Sequence, residues 1–136
     1  MYSRKINAQI EHDGLVRMLV EHYKKLNYSR ITADLSGYER PTLIRGTLLD
    51  HIPDVACVKN AFPPVTIIAE AETGESLRDE HTISQLQLFR SAATKLAGEF
   101  HLVVPAVING QPGRAVAANW LQHLGISADE IWVPRT

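Results

Sequence analysis

Residues 65–72 constrain the fold more than any other part of the chain. They read VTIIAEAE, so apolar or β-branched residues occupy both alternating faces until the glutamates near the end. A strand that is apolar on both faces is typical of the middle of a sheet that is covered on both sides. The segment therefore predicts an internal β-strand, and the rest of the chain must supply neighbouring strands and a helical layer on each face.

Three stretches of helical periodicity provide those layers. Apolar residues recur at helical spacing over residues 9–26, over residues 83–97 and over residues 115–124. Gly98 and Gly125 follow the second and third stretches, where glycine commonly ends a helix. Residues 76–79, SLRD, resemble a capping box, and they are expected to begin the second helix.

Four further segments predict strands, from their alternation and from the turn residues around them. They are residues 28–35, 51–59, 100–108 and 130–133, with Pro105 indicating an irregularity in the third of these. The early strands have short links and are expected to form an antiparallel meander. The later strands alternate with helices and are expected to run parallel through right-handed crossovers. The predicted class is α/β, a mixed sheet flanked by helices, in the order αβββαβ followed by αβ.

The overall composition excludes several classes of protein. The 136 residues suffice for one domain with a core but not for two, so residues 1–136 are expected to form a single domain. No apolar run approaches a membrane span, and residues 1–6 lack the apolar stretch of a secretory signal. The only cysteine, Cys57, excludes an intramolecular disulfide and favours a cytoplasmic location. The net charge of −1 gives no overall signature of nucleic-acid binding.

Three carboxylates stand on two of the predicted strands. Asp54 belongs to the segment IPDV, and Glu70 and Glu72 end the internal strand, where residues two apart share a face. A carboxylate at the end of a buried strand costs free energy unless it is paired, hydrogen-bonded or bound to a metal. If the two strands pair, Asp54 approaches the two glutamates, and their oxygens suit a hard divalent cation such as Mg²⁺.

This arrangement resembles the PD-(D/E)xK nuclease superfamily, which includes restriction endonucleases and Holliday-junction resolvases. The resemblance rests on the order of the elements, on Pro53-Asp54 in the second strand and on Glu70-Ala71-Glu72 in the third. It covers roughly residues 9–108, and the last helix and strand are a further αβ addition. It implies a restriction endonuclease-like fold and metal-dependent hydrolysis of DNA phosphodiester bonds, with Asp54 and Glu70 as ligands of Mg²⁺ or Mn²⁺.

The third motif position departs from that superfamily, which usually has lysine where this chain has Glu72. Glutamate cannot supply the positive charge of a lysine, although some restriction enzymes of the superfamily also carry glutamate there. Glu72 would then act as general base or as an additional ligand. Neither Lys59 nor Lys95 is a convincing substitute, because the predicted strand points Lys59 to the opposite face and Lys95 lies far along the second helix.

The second predicted helix adds His81 and Gln85, which are four residues apart and share a helix face close to the end of the internal strand. His81 would contact a phosphate or shuttle a proton. By the resemblance, Gln85 matches a glutamine that several members of the superfamily carry near the site. Solvated polar positions on an amphipathic helix are the alternative for both residues. Glu11 is an accessory candidate on the first helix, with helix-end electrostatics the better explanation.

The leading hypothesis is a metal-dependent nuclease-like protein acting on branched or duplex DNA, with Asp54, Glu70, Glu72, His81 and Gln85 at its site. Its small size and exposed sheet edges favour a homodimer, and no membrane is expected as a partner. A second hypothesis keeps the fold as an inactive module that binds nucleic acid or a protein. A third makes the carboxylates structural, bonded to Arg40, Arg45 or backbone N–H groups.

Overall fold

The computed structural model describes residues 6–135, and the expectation about the N-terminal segment falls largely outside them, on residues 1–5. The helices and strands have the following bounds in chain order. They are α1 (Ile6–Lys25), β1 (Ser29–Ala33), β2 (Val55–Lys59), β3 (Val65–Ala71), α2 (Glu80–Lys95), β4 (Glu99–Val103), β5 (Val107–Ile108), β6 (Gln111–Pro112), α3 (Gly113–Leu124) and β7 (Glu130–Trp132).

Five of the strands form one mixed sheet in the order β1-β2-β3-β4-β7. The pairs β1/β2 and β2/β3 are antiparallel, whereas β3/β4 and β4/β7 are parallel. The strands β5 and β6, of two residues each, form a separate small hairpin. The predicted α/β class, the internal position of β3 and the change from antiparallel to parallel pairing are therefore confirmed.

The alternation of side chains along β3 divides the core into two layers. Ile67, Ala69 and Ala71 pack with the apolar stripe of α1 on one face of the sheet. Ile68 packs on the other face with residues of α2 and α3. Glu70 is two residues beyond Ile68, so regular alternation assigns its side chain to the α2 face.

The second strand is shorter than the sequence predicts, because it begins at Val55 rather than at residue 51. Pro53 has no N–H to donate to a ladder, which limits strand pairing at that position. His51 instead forms an isolated bridge with Ile44, in which each residue's N–H donates to the other's carbonyl. Asp54 thus immediately precedes β2 and does not lie within it.

The second helix is capped by a different residue from the one that the pattern SLRD predicts. Asp79 is the N-cap, and its side chain accepts a hydrogen bond from the N–H of His81. Ser76 lies in the preceding turn, where its hydroxyl bonds to Thr73 and Glu72. A second competent N-cap three residues downstream therefore displaced the predicted start.

The strand predicted over residues 100–108 ends at Val103. Pro105 follows closely, and the chain then turns into the β5–β6 hairpin, with Asn109 and Gly110 at φ 50 and 77°. Positive φ at both central residues matches the twist of a tight hairpin. The proline thus marks the end of pairing in the main sheet.

The first helix extends three residues before its predicted start at residue 9, and α3 two before its predicted start at 115. Gly125 ends α3 in the left-handed conformation, as its position predicted. None of the helices within residues 6–135 is long and apolar enough to span a membrane. Burial raises the pKa of the Cys57 thiol to about 12, which keeps this core cysteine protonated and unreactive.

Substitution of Gly98 by alanine tests the packing between α2 and β3. A Cβ at this position would collide with the backbone carbonyl of Thr66, whereas Gly14 on α1 has open space around it. We expect Gly98→Ala to lower the free energy of unfolding by roughly 2 kcal/mol, in the range of overpacked sites. Gly14→Ala, the matched control, should raise it by about 1 kcal/mol through helix propensity. Urea unfolding measures both, and an unchanged midpoint for Gly98→Ala would contradict the close approach.

Candidate functional site

The three carboxylates predicted from the sequence gather where β2 begins and β3 ends. The last antiparallel pair joins Val55 to Ala69, so Asp54 and Glu70 stand opposite each other one step beyond it. Glu72 follows β3 directly. All three side chains are buried, with exposures of 7%, 2% and 1% for Asp54, Glu70 and Glu72. Such burial of charged residues requires compensating contacts.

Two hydrogen bonds between side chains and backbone N–H groups connect Asp54 with the end of β3, where Glu70 lies. The N–H of Asp54 donates to Oε1 of Glu70 over 3.0 Å. The N–H of Ala71 donates to Oδ2 of Asp54 over 2.9 Å. Two side-chain carboxylates therefore replace the backbone acceptors of a regular ladder at this point, which holds them side by side. Asp54 and Glu70 therefore lie next to each other, as the sequence predicts.

His12 is the functional candidate that the sequence interpretation missed. It is buried on α1, and its Nε2 lies 3.0 Å from Oδ2 of Asp54. Its other ring nitrogen, Nδ1, lies 3.4 Å from Oδ1 of Asp13. A signal was present in the sequence, since His12 is four residues before Val16 and so extends the apolar stripe of α1. A histidine in such a stripe needs a buried partner, and Asp54 is that partner.

Glu72 is held by a short polar turn that leads from β3 to α2. The hydroxyl of Ser76 donates to Oε1 of Glu72 over 2.8 Å. The same hydroxyl accepts the N–H of Thr73 over 2.9 Å, and the N–H of Ser76 donates to the Thr73 hydroxyl over 3.1 Å. The turn therefore fixes the direction of the Glu72 carboxylate, so Ser76 serves the site while Asp79, the last residue of SLRD, caps α2.

The environments of Asp54 and Glu70 drive their pKa values apart. Burial, together with the negative charges of Asp54 and Glu72, raises the pKa of Glu70 well above its usual 4.5. Burial also opposes ionisation of Asp54, but hydrogen bonds and charge from His12, with contacts to Glu70 and Ala71, hold its pKa below 3.8. A carboxylic acid beside a carboxylate is the arrangement from which acid–base pairs are built.

The two candidates on α2, His81 and Gln85, have surroundings different from those of the carboxylates. The ring of His81 lies edge-on to that of His51, with their centroids 5.2 Å apart. Gln85 is half-buried one turn later on α2. Among the hydrogen bonds between residues 6–135, none joins Gln85 to a carboxylate. The roles of His81 and Gln85 at the site stay predictions.

The cations considered in the sequence lie away from the three carboxylates. Lys59 is at the far end of β2 and forms an ion pair with Glu99 at 3.5 Å. Lys95 lines a groove together with Arg45 and Thr66. Thr66 is four residues before Glu70 on β3, a separation of roughly 13 Å along a strand. Asp54 is instead bonded to His12 and to a backbone N–H.

Glu11 is exposed and lines a shallow surface cavity with Thr73 and Glu75, near the end of β3. It therefore lies beside the buried site, on its solvent side.

The oxygen donors of the site fit a hard divalent cation in chemistry. Within residues 6–135, no group of three or more His, Cys, Asp or Glu side chains is arranged to hold a metal ion. Mg²⁺, however, is commonly bound by one or two carboxylates, with water and substrate phosphate completing its coordination. Asp54 and Glu70 supply two such carboxylates, and a bound cation would offset the repulsion that raises the pKa of Glu70.

Comparisons of the chain with protein-family models, with curated proteins and with solved structures found no match.

His12→Ala tests the link between α1 and the site. The substitution leaves the buried Asp54 carboxylate without its side-chain partner, a change that typically costs about 3 kcal/mol. We expect this loss at pH 7, and a smaller one as the pH falls through the lowered pKa of Asp54, where the carboxylate becomes neutral. His123→Ala on the exposed side of α3 is the control. Equal midpoints for the two variants in urea would show that the pair adds nothing to stability.

Glu70→Gln tests the repulsion among the three carboxylates. Because the folded pKa of Glu70 lies above its unfolded value of 4.5, its contribution to stability is full below pH 4.5 and is lost as the pH rises through the folded pKa. Glutamine keeps the acceptor for the Asp54 N–H without the charge. In metal-free buffer at pH 8 we expect Glu70→Gln to be more stable than wild type by roughly 1–3 kcal/mol, the usual cost of an uncompensated buried group. At pH 4 the difference should vanish in thermal unfolding, and a difference independent of pH would contradict the repulsion.

Proposed function

We propose that this protein is a metal-dependent nuclease that hydrolyses phosphodiester bonds in DNA and resembles the PD-(D/E)xK superfamily. One observation carries the proposal: Asp54 and Glu70 stand side by side at the edge of a central strand pair, buried and with their pKa values driven apart. Perturbed pKa values of buried, mutually interacting carboxylates are typical of functional sites.

The path of the chain around the site supports the same proposal. A helix precedes an antiparallel three-stranded meander, a second helix crosses over, and the following strand β4 lies parallel to β3. Asp54 immediately precedes β2 and Glu70 lies near the end of β3, and these are the two strands to which the resemblance assigns metal ligands. The restriction endonuclease-like identity of this arrangement is part of the proposal.

A groove on the α2 face, lined mainly by apolar residues but carrying three cations, would offer a path for a nucleic-acid backbone. It has a volume of about 560 Å³, and Arg30, Arg45 and Lys95 are among its lining residues. Its floor includes Thr66 and Ile68, which alternate on β3 with the same face as Glu70. A β-bulge redirects β1 at Arg30, whose φ is 53°. A phosphate backbone attracted to these cations would lead toward the carboxylates.

The residues of the site have separable tasks in this reaction. Asp54 and Glu70 would hold the cation, which when bound supplies electrostatic stabilisation of the charged phosphoryl group. His12 keeps the Asp54 carboxylate ionised and fixes its direction from within the core. Glu72, fixed by Ser76, would act as general base toward an attacking water or as an additional ligand.

The second candidate function is an inactive module of the same fold that binds nucleic acid. The observation favouring it is that, within residues 6–135, Lys59 is paired with Glu99 and no ion pair joins Lys95 to Asp54, Glu70 or Glu72, so neither lysine matches the superfamily pattern. The groove with its three cations would be kept in such a module, whereas the carboxylates would no longer need a cation.

Asp54→Asn tests the proposal against this alternative. Cleavage of branched, single-stranded and duplex DNA would be measured with Mg²⁺ or Mn²⁺. We expect the wild type to cleave one of these DNAs and the variant to lose at least about 100-fold in rate, the loss typical of removing one preorganised charged group. The control is Asp34→Asn, an exposed side chain whose backbone N–H donates to the carbonyl of Asp54.

Metal binding is followed in parallel, because a cation that binds only the folded state raises the melting temperature. Mn²⁺ should stabilise wild type and Asp34→Asn but neither Asp54→Asn nor Glu70→Gln. DNA binding without any metal-dependent stabilisation or cleavage would favour the inactive module, and cleavage unaffected by Asp54→Asn would remove the proposed site.

A further inference from the structure

A separate cavity lies at the opposite end of α1 from His12. It is formed by the C-terminal half of α1, the start of α3 and the chain that follows β7, and its volume is about 780 Å³. That size is within the range of small-ligand sites, roughly 300–1,000 Å³. None of the residues assigned to the carboxylate site lines it. Its chemistry therefore needs an explanation of its own.

The aromatic wall of this cavity is Trp132 beside His22. Their ring centroids are 4.3 Å apart with an angle of 56° between the planes. The indole N–H of Trp132 donates to Nδ1 of His101 over 3.2 Å, and His101 is itself bonded to Tyr23 over 2.6 Å. Trp132 is thus a half-buried ring held by the core at the wall of a cavity, which is the form of a stacking platform.

Three cations surround this aromatic wall. Lys25, Arg114 and Arg135 line the cavity together with one acid, Glu21, which lies 3.8 Å from Lys24. No ion pair involves any of these three cations within residues 6–135.

Arg114 is preorganised, because its Nε donates to the carbonyl of Ile131 over 2.9 Å. That contact orients the guanidinium through Nε, so its terminal N–H groups are the ones left for a ligand. Burial, and then the positive charges of Arg135, His101 and Lys25, lower the pKa of His22, in keeping with the positive field.

We propose that this cavity binds one nucleotide unit of a single-stranded nucleic acid, with the base against Trp132 and the phosphate between Arg114, Lys25 and Arg135. A nucleotide has the two features that the cavity matches, an aromatic face and an adjacent phosphate. Base–aromatic stacking accepts any base, and a guanidinium donates two parallel hydrogen bonds to phosphate oxygens. An acidic peptide would satisfy the cations but would leave Trp132 unused.

Helix α1 connects this cavity to the carboxylate site. His12 contacts Asp54 and His22 contacts Trp132, and their separation of ten residues corresponds to about 15 Å along a helix axis. At the spacing of stacked nucleotides, that length is roughly four nucleotides of one strand. The inference rests on the proposed function for the origin of the strand, which would be the substrate held a few nucleotides from the cleaved bond.

The binding test needs neither metal nor cleavage. Anisotropy of a fluorescein-labelled oligothymidylate is measured in EDTA with wild type and with the double variant Lys25→Glu/Arg135→Glu. We expect the double variant to bind at least about 10-fold more weakly, through the loss of two phosphate contacts. Arg40→Glu/Arg78→Glu makes the same change in charge at exposed positions outside the cavity and should keep most of the affinity. Equal weakening by both pairs, or by neither, would overturn the proposal.

Thymidine monophosphate tests whether one nucleotide unit is enough to occupy the cavity. It should quench the fluorescence of Trp132 in wild type, and should not change that of Trp132→Phe, in which Trp120 is the remaining tryptophan. Quenching that is identical in the two proteins would overturn the assignment of the base to Trp132. Binding is measured in EDTA, so oligonucleotide binding by a wild type that does not cleave would count against the carboxylate site alone.

Discussion

The arrangement of the site depends on the hydrogen bonds of Asp54. Its Oδ2 accepts hydrogen bonds from His12 on α1 and from the N–H of Ala71 on β3. The backbone N–H of Asp54 donates to Glu70. A single residue therefore joins one helical layer to two strands. Because the group is buried, a change in any of these partners leaves a charge or a donor unsatisfied, which is why we expect the site and the local fold to fail together.

The electrostatics of the site follow from the same geometry. Asp54 is surrounded by donors and has a lowered pKa, whereas Glu70 faces two other carboxylates and has a raised one. The protein therefore stores repulsion that a proton or a divalent cation would relieve. Stability given up at a buried cluster of this kind is typical of functional sites, and it is the physical reason for proposing chemistry there rather than packing.

Two errors in the sequence interpretation come from local contacts that the residue pattern does not specify. SLRD matches a capping box, but Asp79 caps α2, and Ser76 binds the Glu72 carboxylate instead. His51 fits a strand by composition, yet Pro53 separates it from β2, and it pairs with Ile44. In each case the local pattern allowed two arrangements, and contacts with residues two to seven positions away in the chain decided between them.

The sequence by itself determined the class of fold and the approximate place of the site. The two apolar faces of residues 65–72 require a central strand, and the glutamates near its end mark where buried charge must be compensated. Only the tertiary structure decided which groups compensate it. His12 reaches Asp54 across 42 residues of sequence, and Trp132 meets His22 across the sheet edge. Such pairings depend on how the helices lie on the sheet. Helical periodicity specifies which face of a helix is buried, but not which residue that face contacts.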